Sequence, residues 1–211
     1  MSIRRVHVFH AGLILLAFAM VALAYTDLPP LVPTHWGLDG KVTRFRPRIW
    51  AFAIPTLMVL IYALLLALPR ISPRGYEIER FGRVFEICQS ATLLVMLALT
   101  TLVLLAGLGA DVHMDRAPSA IIGLLFIVLG NFQGKVTRNF FVGMRTPWTL
   151  ASDEVWLRTN RLAGKLMVVA GAGLLLCTFL DAGPAPLLVA AATIAGVPFV
   201  YSYVIYRKLE G

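Results

Sequence analysis

The chain has 211 residues, of which 59% are hydrophobic and only 14% are charged, and its mean hydropathy is +0.80. Because about a quarter of the residues in a soluble domain are charged, this composition excludes an ordinary soluble protein and predicts the lipid bilayer as its surroundings. The net charge of +8 first indicates orientation in a membrane, and no direct nucleic-acid partner is predicted.

Six apolar stretches of the sequence carry no charged residue. A membrane-spanning helix needs about 20 mostly apolar residues, and none of these stretches shows the alternation of barrel strands. The predicted fold class is therefore all-α, a polytopic membrane protein with a bundle of about six transmembrane helices. The stretches are Val6 to Thr26, Ala51 to Leu68, Ile87 to Ala110, Ala117 to Gly134, Leu166 to Leu180 and Ala182 to Tyr206.

The first stretch follows Arg4 and Arg5, as the apolar region of a signal peptide would. It is too long for such a region, and Ala24-Tyr25-Thr26-Asp27 lacks a small-x-small cleavage pattern. We therefore predict a retained first helix. His7 and His10 share one face near its start and are interpreted as interfacial.

Proline ends this helix, because Pro29, Pro30 and Pro33 each lack an N–H and restrict the preceding residue. An ordered or extended external loop is predicted from Thr26 to Arg48.

His35, Trp36 and Lys41 make this external loop a candidate ligand-binding site. Histidine titrates near neutral pH and binds ligands, and tryptophan is common at bilayer interfaces. The alternative interpretation is an interfacial tryptophan beside a solvated histidine.

Three further helices are bounded by proline and glycine. The second is predicted from Trp50 to Leu68, with Pro69 at its end, and the third extends to about Leu108. The fourth begins near Pro118, a favourable first-turn position, and ends around Gly130-Asn131.

The segment that follows interleaves cations and amides with aromatic residues, and we expect it to lie in the headgroup region with Phe140, Phe141 and Trp148 inserted. Arg145 has an alternative, structural role as a partner of Asp153 or Glu154. The candidate ligand- or partner-binding residues here are Asn131, Lys135, Arg138, Asn139, Arg145, Thr146, Pro147, Trp148, Trp156, Asn160 and Arg161.

Ser152 followed by two acidic residues predicts a helix start inside this long inner loop. The fifth membrane helix either continues from it or follows a bend near Gly164. The sixth is predicted from about Pro186 to Tyr206, with a kink at Pro198.

The distribution of Lys and Arg predicts the orientation of the bundle. Fourteen lie on the side that holds both termini, the second-to-third connection and the fourth-to-fifth connection, and five lie on the other side. The positive-inside rule therefore places both termini in the cytoplasm. The external loop carries four of the five opposing cations, either for anionic lipid or an external ligand, or as residual noise.

Metal binding and catalysis have weak signals. His35, Asp111, His113 and Asp115 are possible external ligands, but the sequence contains no tight Cys/His pair and no His-Glu-x-x-His motif. No nucleophile elbow, P-loop or dinucleotide fingerprint is present. We predict no enzyme activity, no metal and no cofactor.

The inner segment resembles the signature of the SdpI family of bacterial toxin-immunity membrane proteins. The match runs through Gly130-Asn131, Lys135, Arg138-Asn139, Gly143-Met-Arg-Thr-Pro-Trp-Thr-Leu150, Val155-Trp156 and Thr159-Asn160-Arg161. Pro33-Thr-His-Trp-Gly37 and Gly40-Lys-Val42 resemble a small N-terminal domain of unknown function often fused to this family.

This resemblance implies a six-helix protein of the bacterial cytoplasmic (inner) membrane that protects the cell from a secreted peptide toxin. It also implies a signalling role in which a soluble repressor is held at the membrane. The residues leave two alternatives open, a transporter of a small amphiphile and a lipid-interacting membrane enzyme. The predicted units are an N-terminal helical hairpin with the external loop (1–70), the third helix with its flanking loops (71–116) and an SdpI-like region with the inner signature loop (117–211).

Overall fold

A computed structural model describes residues 3–37, 39–72, 78–180, 182–183 and 185–210 of the chain. Arg74, which contributes to the charge count, lies outside the described residues. The helices are α1 (Ile3–Ala24), α2 (Ala53–Ile71), α3 (Gly82–Gly107), α4 (Ala117–Gln133), α5 (Pro147–Ala151), α6 (Asp153–Phe179) and α7 (Ala185–Leu209), and the strands are β1 (Leu31–Trp36) and β2 (Val42–Pro47).

Five of these helices, α1, α2, α3, α6 and α7, are long and apolar enough to cross a membrane. The sixth, α4, is apolar but has only 17 residues, the lower end of the range for a spanning helix. The predicted all-α polytopic membrane protein is confirmed. The short α5 lies in the connection between α4 and α6.

The predicted external loop contains an antiparallel β-hairpin made by β1 and β2. Gly40 turns the chain at φ +74°, and the ladder becomes irregular after Pro33, which has no N–H to donate. Val32 anchors the hairpin, since it is buried with Leu28 and with Leu104 of α3.

The first three membrane helices pack around a common apolar core. It contains Leu13 and Ala17 of α1, Met58 of α2, and Leu93 and Met96 of α3. Side chains at these positions are buried, whereas many other leucines of the same helices are exposed, as expected for helices that face lipid.

Glycines bring α4 and α6 into close contact. A Cβ atom added at Gly130 would lie 2.7 Å from the carbonyl oxygen of Gly164, and one at Gly123 would lie 2.9 Å from that of Gly171. Small residues allow such close approach of helices in membranes. Gly123 and Gly130 are seven residues apart on α4, and Gly164 and Gly171 are seven residues apart on α6. The close contact therefore extends over about two turns of both helices.

Several predicted boundaries differ from the structure. Pro69 does not end its helix, because α2 continues to Ile71. The helix start predicted after Ser152 is confirmed, because α6 begins at Asp153, and the helix continues without interruption through Gly164 rather than starting anew after it. Pro118 occupies the first turn of α4, and Pro198 lies inside α7, as predicted.

The two ends of the bundle differ in structure. The hairpin end carries β1, β2 and the α3–α4 connection, and a Cβ at Gly40 would lie 2.9 Å from the backbone nitrogen of Asp115. The polar-loop end carries residues 134–152, named the polar loop below. Here Trp156 is buried with Val136 of the loop and Phe85 of α3.

Candidate functional site

Asn160 is the centre of a hydrogen-bond network at the polar-loop end. The side chain is fully buried on α6. Its Oδ1 accepts hydrogen bonds from Gln133 Nε2 (2.9 Å) and from the backbone N–H of Met144 (2.8 Å). Its Nδ2 donates to the carbonyl of Trp156 (3.1 Å). One amide therefore joins the end of α4, the polar loop and α6.

Asn139 shapes the loop itself and is also fully buried. Its Oδ1 accepts from the backbone N–H groups of Phe141 and Val142, both at 2.7 Å. Its Nδ2 donates to the carbonyls of Thr137 (2.8 Å) and Val142 (2.9 Å). Asparagine commonly stabilises turns in this way, and here the side chain uses all of its hydrogen-bonding capacity locally.

Trp156 fastens the loop to α6. The indole is 2% exposed, and its Nε1 donates to the carbonyl of Val136 at 2.7 Å. Burial of the ring and satisfaction of its N–H make this a structural tryptophan.

Thr146 and Thr149 begin the short helix α5 with a reciprocal capping box. The Thr146 hydroxyl accepts from the Thr149 N–H (3.2 Å), and the Thr149 hydroxyl accepts from the Thr146 N–H (2.8 Å). Thr146 also donates to the buried hydroxyl of Ser202 in α7 (3.0 Å). The cap therefore connects the polar loop to the last helix.

The aromatic residues of the loop pack mainly against protein. The Trp148 ring lies 5.0 Å from Tyr203 and 5.5 Å from Phe199 of α7, centre to centre. Phe141 packs against the core around Trp156, whereas Phe140 is 38% exposed. Phe141 and Trp148 are therefore half-buried, and the insertion of the three rings into the headgroup region stays a prediction.

Arg145 does not form the ion pair with Asp153 or Glu154 that was the alternative prediction for it. Instead, Arg138 forms an ion pair with Asp153 (Nε to Oδ1, 2.9 Å) and donates a hydrogen bond to the carbonyl of Leu150 (2.8 Å). Glu154 pairs with Arg158 one turn along α6. Arg145 donates to the carbonyl of Phe140, and its side chain remains exposed.

Exposure divides the eleven candidates of the segment from Asn131 to Arg161 into three groups. Four are buried and bonded within the fold: Asn139, Thr146, Trp156 and Asn160. Arg138 and Trp148 are half-buried. The other five are exposed: Asn131, Lys135, Arg145, Pro147 and Arg161. Only exposed side chains can meet a partner without unfolding the loop.

The external candidates lie at the opposite end of the bundle. His35 is exposed and lies across the ladder from Arg44, Trp36 is half-buried, and Lys41 is exposed. The Lys41 ammonium lies 3.8 Å from the Asp39 carboxylate.

Two of the hairpin cations stack on aromatic rings. The Arg46 guanidinium lies 5.1 Å from the Trp50 ring centre, and that of Arg48 lies 4.7 Å from Tyr25. These cation–π contacts hold both guanidinium groups against aromatic rings at the hairpin end. Within the described residues, no three His, Cys, Asp or Glu side chains form a group suited to a metal ion.

Sequence reasoning missed several partners. Gln133 and Ser202 complete the polar-loop network, but their partners Asn160 and Thr146 are 27 and 56 positions away, and no local pattern indicates such pairs. His10 is not interfacial, because it is fully buried and hydrogen-bonded to Ser90 of α3 (2.8 Å). His7 bonds Tyr62 of α2 at the same distance.

Gly143 sits at φ +112° inside the network, and Gly143→Ala is expected to destabilise the protein by about 2 kcal/mol. The added Cβ would lie 2.8 Å from Asn160 Oδ1. Thermal unfolding in detergent measures the loss. Gly109→Ala is the matched control, since Gly109 has φ +83° but no atom within 4 Å of such a Cβ. Equal losses in the two variants would contradict the role of the Asn160 contact.

Comparison with known proteins shows that most of the polar loop lies in a segment that matches a protein family. Residues 135–202 match the SdpI/YfhL protein family, and residues 12–59 match a domain of unknown function, DUF1648. The predicted resemblance to the SdpI family is confirmed. The SdpI match spans the exposed cations of the loop and its buried amides, and the N-terminal match includes β1 and β2.

A curated relative extends the similarity over nearly the whole chain. The protein is 26% identical over 201 residues to the immunity protein SdpI of Bacillus subtilis (strain 168), which covers 94% of this chain and 95% of that relative. No solved structure matches.

Proposed function

We propose that the chain is an immunity protein that protects a bacterium from a secreted peptide toxin acting on its cytoplasmic membrane. The observation that carries this proposal is the end-to-end similarity to an immunity protein, over 94% of this chain and 95% of the relative. Similarity of that extent includes both the hairpin and the polar loop, rather than a shared membrane helix alone.

Charge supports an orientation with both termini in the cytoplasm. Fourteen Lys and Arg residues belong to the segments of the polar-loop end and five to those of the hairpin end. In this orientation the hairpin faces a toxin arriving from outside.

The hairpin is the proposed toxin-facing surface. His35 and Lys41 are exposed, and Trp36 is half-buried beside them. Aromatic and cationic side chains at a membrane boundary suit a peptide that carries both apolar and polar groups. His35 and Trp36 belong to β1, and Lys41 lies in the turn directly before β2.

The polar loop is the proposed inner surface, and its exposed Arg145 suits an acidic surface on a soluble repressor. Asn139 and Asn160 hold the backbone of this surface in place. We further propose that toxin binding at the hairpin is transmitted through the bundle to this repressor.

Expression in a toxin-sensitive host tests the function. We expect survival at toxin concentrations that kill the host carrying an empty vector. Unchanged killing, with membrane insertion verified by fractionation, would refute the immunity proposal.

Single substitutions then separate the two ends. If the hairpin contacts the toxin, His35→Ala should weaken protection by roughly tenfold, the effect of losing one important contact. Arg145→Ala should leave protection intact and abolish repressor recruitment. His113→Ala and Arg158→Ala are the controls, being exposed at the hairpin end and the polar-loop end, respectively. Full protection by the His35 variant would remove that residue from the proposed surface.

A further inference from the structure

An open groove runs between the end of α4 and the first half of α6, on the outer surface of the bundle. Glycines form its floor and cations form its rim. Its lining includes Gly130, Gly134, Lys135, Arg161, Lys165 and Val169.

The positive charge of this groove is not balanced by the protein. Lys135, Arg161 and Lys165 are all exposed, and the groove lining contains no acidic residue. In the part of the chain that the structure describes, Arg161 and Lys165 have neither a carboxylate nor a hydrogen-bond partner. The nearby acids Asp153 and Glu154 are engaged by Arg138 and Arg158 instead.

The groove crosses the boundary between the polar and apolar parts of α6. Lys165 is the last charged residue before the uncharged stretch Leu166 to Leu180. Val169, one turn further along the helix, is 71% exposed. A ligand here meets cations at one end and a bare apolar helix face at the other.

Gly134 positions one of the cations. A Cβ at this residue would lie 2.9 Å from Arg161 Cγ and 3.4 Å from its Cα. Because the glycine leaves this space open, the stem of Arg161 lies across the end of α4. The Lys135 ammonium is held 5.1 Å from the Phe132 ring centre, so cations from the polar loop and from α6 flank the groove.

We propose that this groove binds an anionic phospholipid of the leaflet at the polar-loop end. Its phosphate lies among Lys135, Arg161 and Lys165, and an acyl chain runs along Val168 and Val169. Basic pockets between membrane helices bind lipid headgroups in this way. The proposal does not depend on the immunity function, since it rests only on charge and shape at α4 and α6.

Native mass spectrometry of the full chain in detergent, titrated with phosphatidylglycerol or phosphatidylcholine, tests this site. We expect preferential retention of phosphatidylglycerol. The double variant Arg161→Gln/Lys165→Gln should weaken its binding by about tenfold or more, because each cation near a headgroup contributes measurably. The control, Arg207→Gln/Lys208→Gln, removes the same charge from the end of α7 and should bind like the parent.

Three outcomes would overturn the proposal. Equal retention of the two lipids would indicate a nonspecific lipid annulus. Equal weakening by the α7 control would indicate an effect of net charge. Displacement of the lipid by millimolar inorganic phosphate would indicate a site for free anions. If the double variant does not fold, the parent's preference between the two lipids and the single variant Lys165→Gln decide the question.

Discussion

Gly164→Ala is expected to destabilise the bundle by about 3 kcal/mol, the upper end of the usual cost of overpacking. The new Cβ would lie 2.6 Å from the carbonyl oxygen of Gly130. That atom belongs to the backbone of α4, so the clash is relieved only if the two helices separate. Separation would also weaken the Gly123–Gly171 contact and the Gln133–Asn160 hydrogen bond further along the same interface.

Gly173→Ala provides the matched control on the same helix. No atom lies within 4 Å of a Cβ at Gly173, and replacing a helical glycine with alanine favours folding by about 0.5–1 kcal/mol. Thermal or SDS-induced unfolding of purified variants measures the difference. Equal stability of the two variants would show that the α4–α6 interface tolerates an added methyl group.

Asn160→Leu is expected to cost about 4 kcal/mol and to release the polar loop. Two partly buried donors, Gln133 Nε2 and the Met144 N–H, would lose their shared acceptor, and each unsatisfied donor costs about 1–3 kcal/mol. Leucine has a similar size, so the loss reports mainly on hydrogen bonding. Faster trypsin cleavage after Arg138 and Arg145 should accompany the loss of stability.

Asn131→Leu is the control for that variant. Asn131 is exposed, and its amide donates to the carbonyl of Ile127 in its own helix (2.7 Å). Its replacement should change stability by no more than about 0.5 kcal/mol. If the Asn160 variant retains the stability and trypsin resistance of the parent, the network does not organise the loop.

The membrane helices were predictable because their signal is local. Hydropathy over about 20 residues identifies a span wherever the rest of the chain lies. First-turn Pro118 and the Ser152-Asp-Glu start were recognisable for the same reason. The predicted helix end at Pro69 was wrong by a few residues, because this proline lies within the last turn of α2 and the helix continues to Ile71.

The candidate site was predictable as a set of residues but not as an arrangement. Arg138, Asn139, Arg145, Trp156 and Asn160 stood out by composition and family resemblance. Their division into buried connectors and exposed cations depends on contacts between distant parts of the chain. Gln133 and Asn160 are 27 positions apart, and Thr146 and Ser202 are 56 apart, so no local pattern indicates either pair.

Sequence alone therefore determined that this is a helical membrane protein and which two of its connecting segments carry unusual residue patterns. Hydrophobicity and charge are properties of single side chains, so they can be read along the sequence without knowledge of tertiary contacts. Tertiary structure decided which polar residues hold the polar loop together and which face outward. Hydrogen bonds require two partners at about 2.9 Å, and only the packing of α4, α6 and α7 brings these partners together.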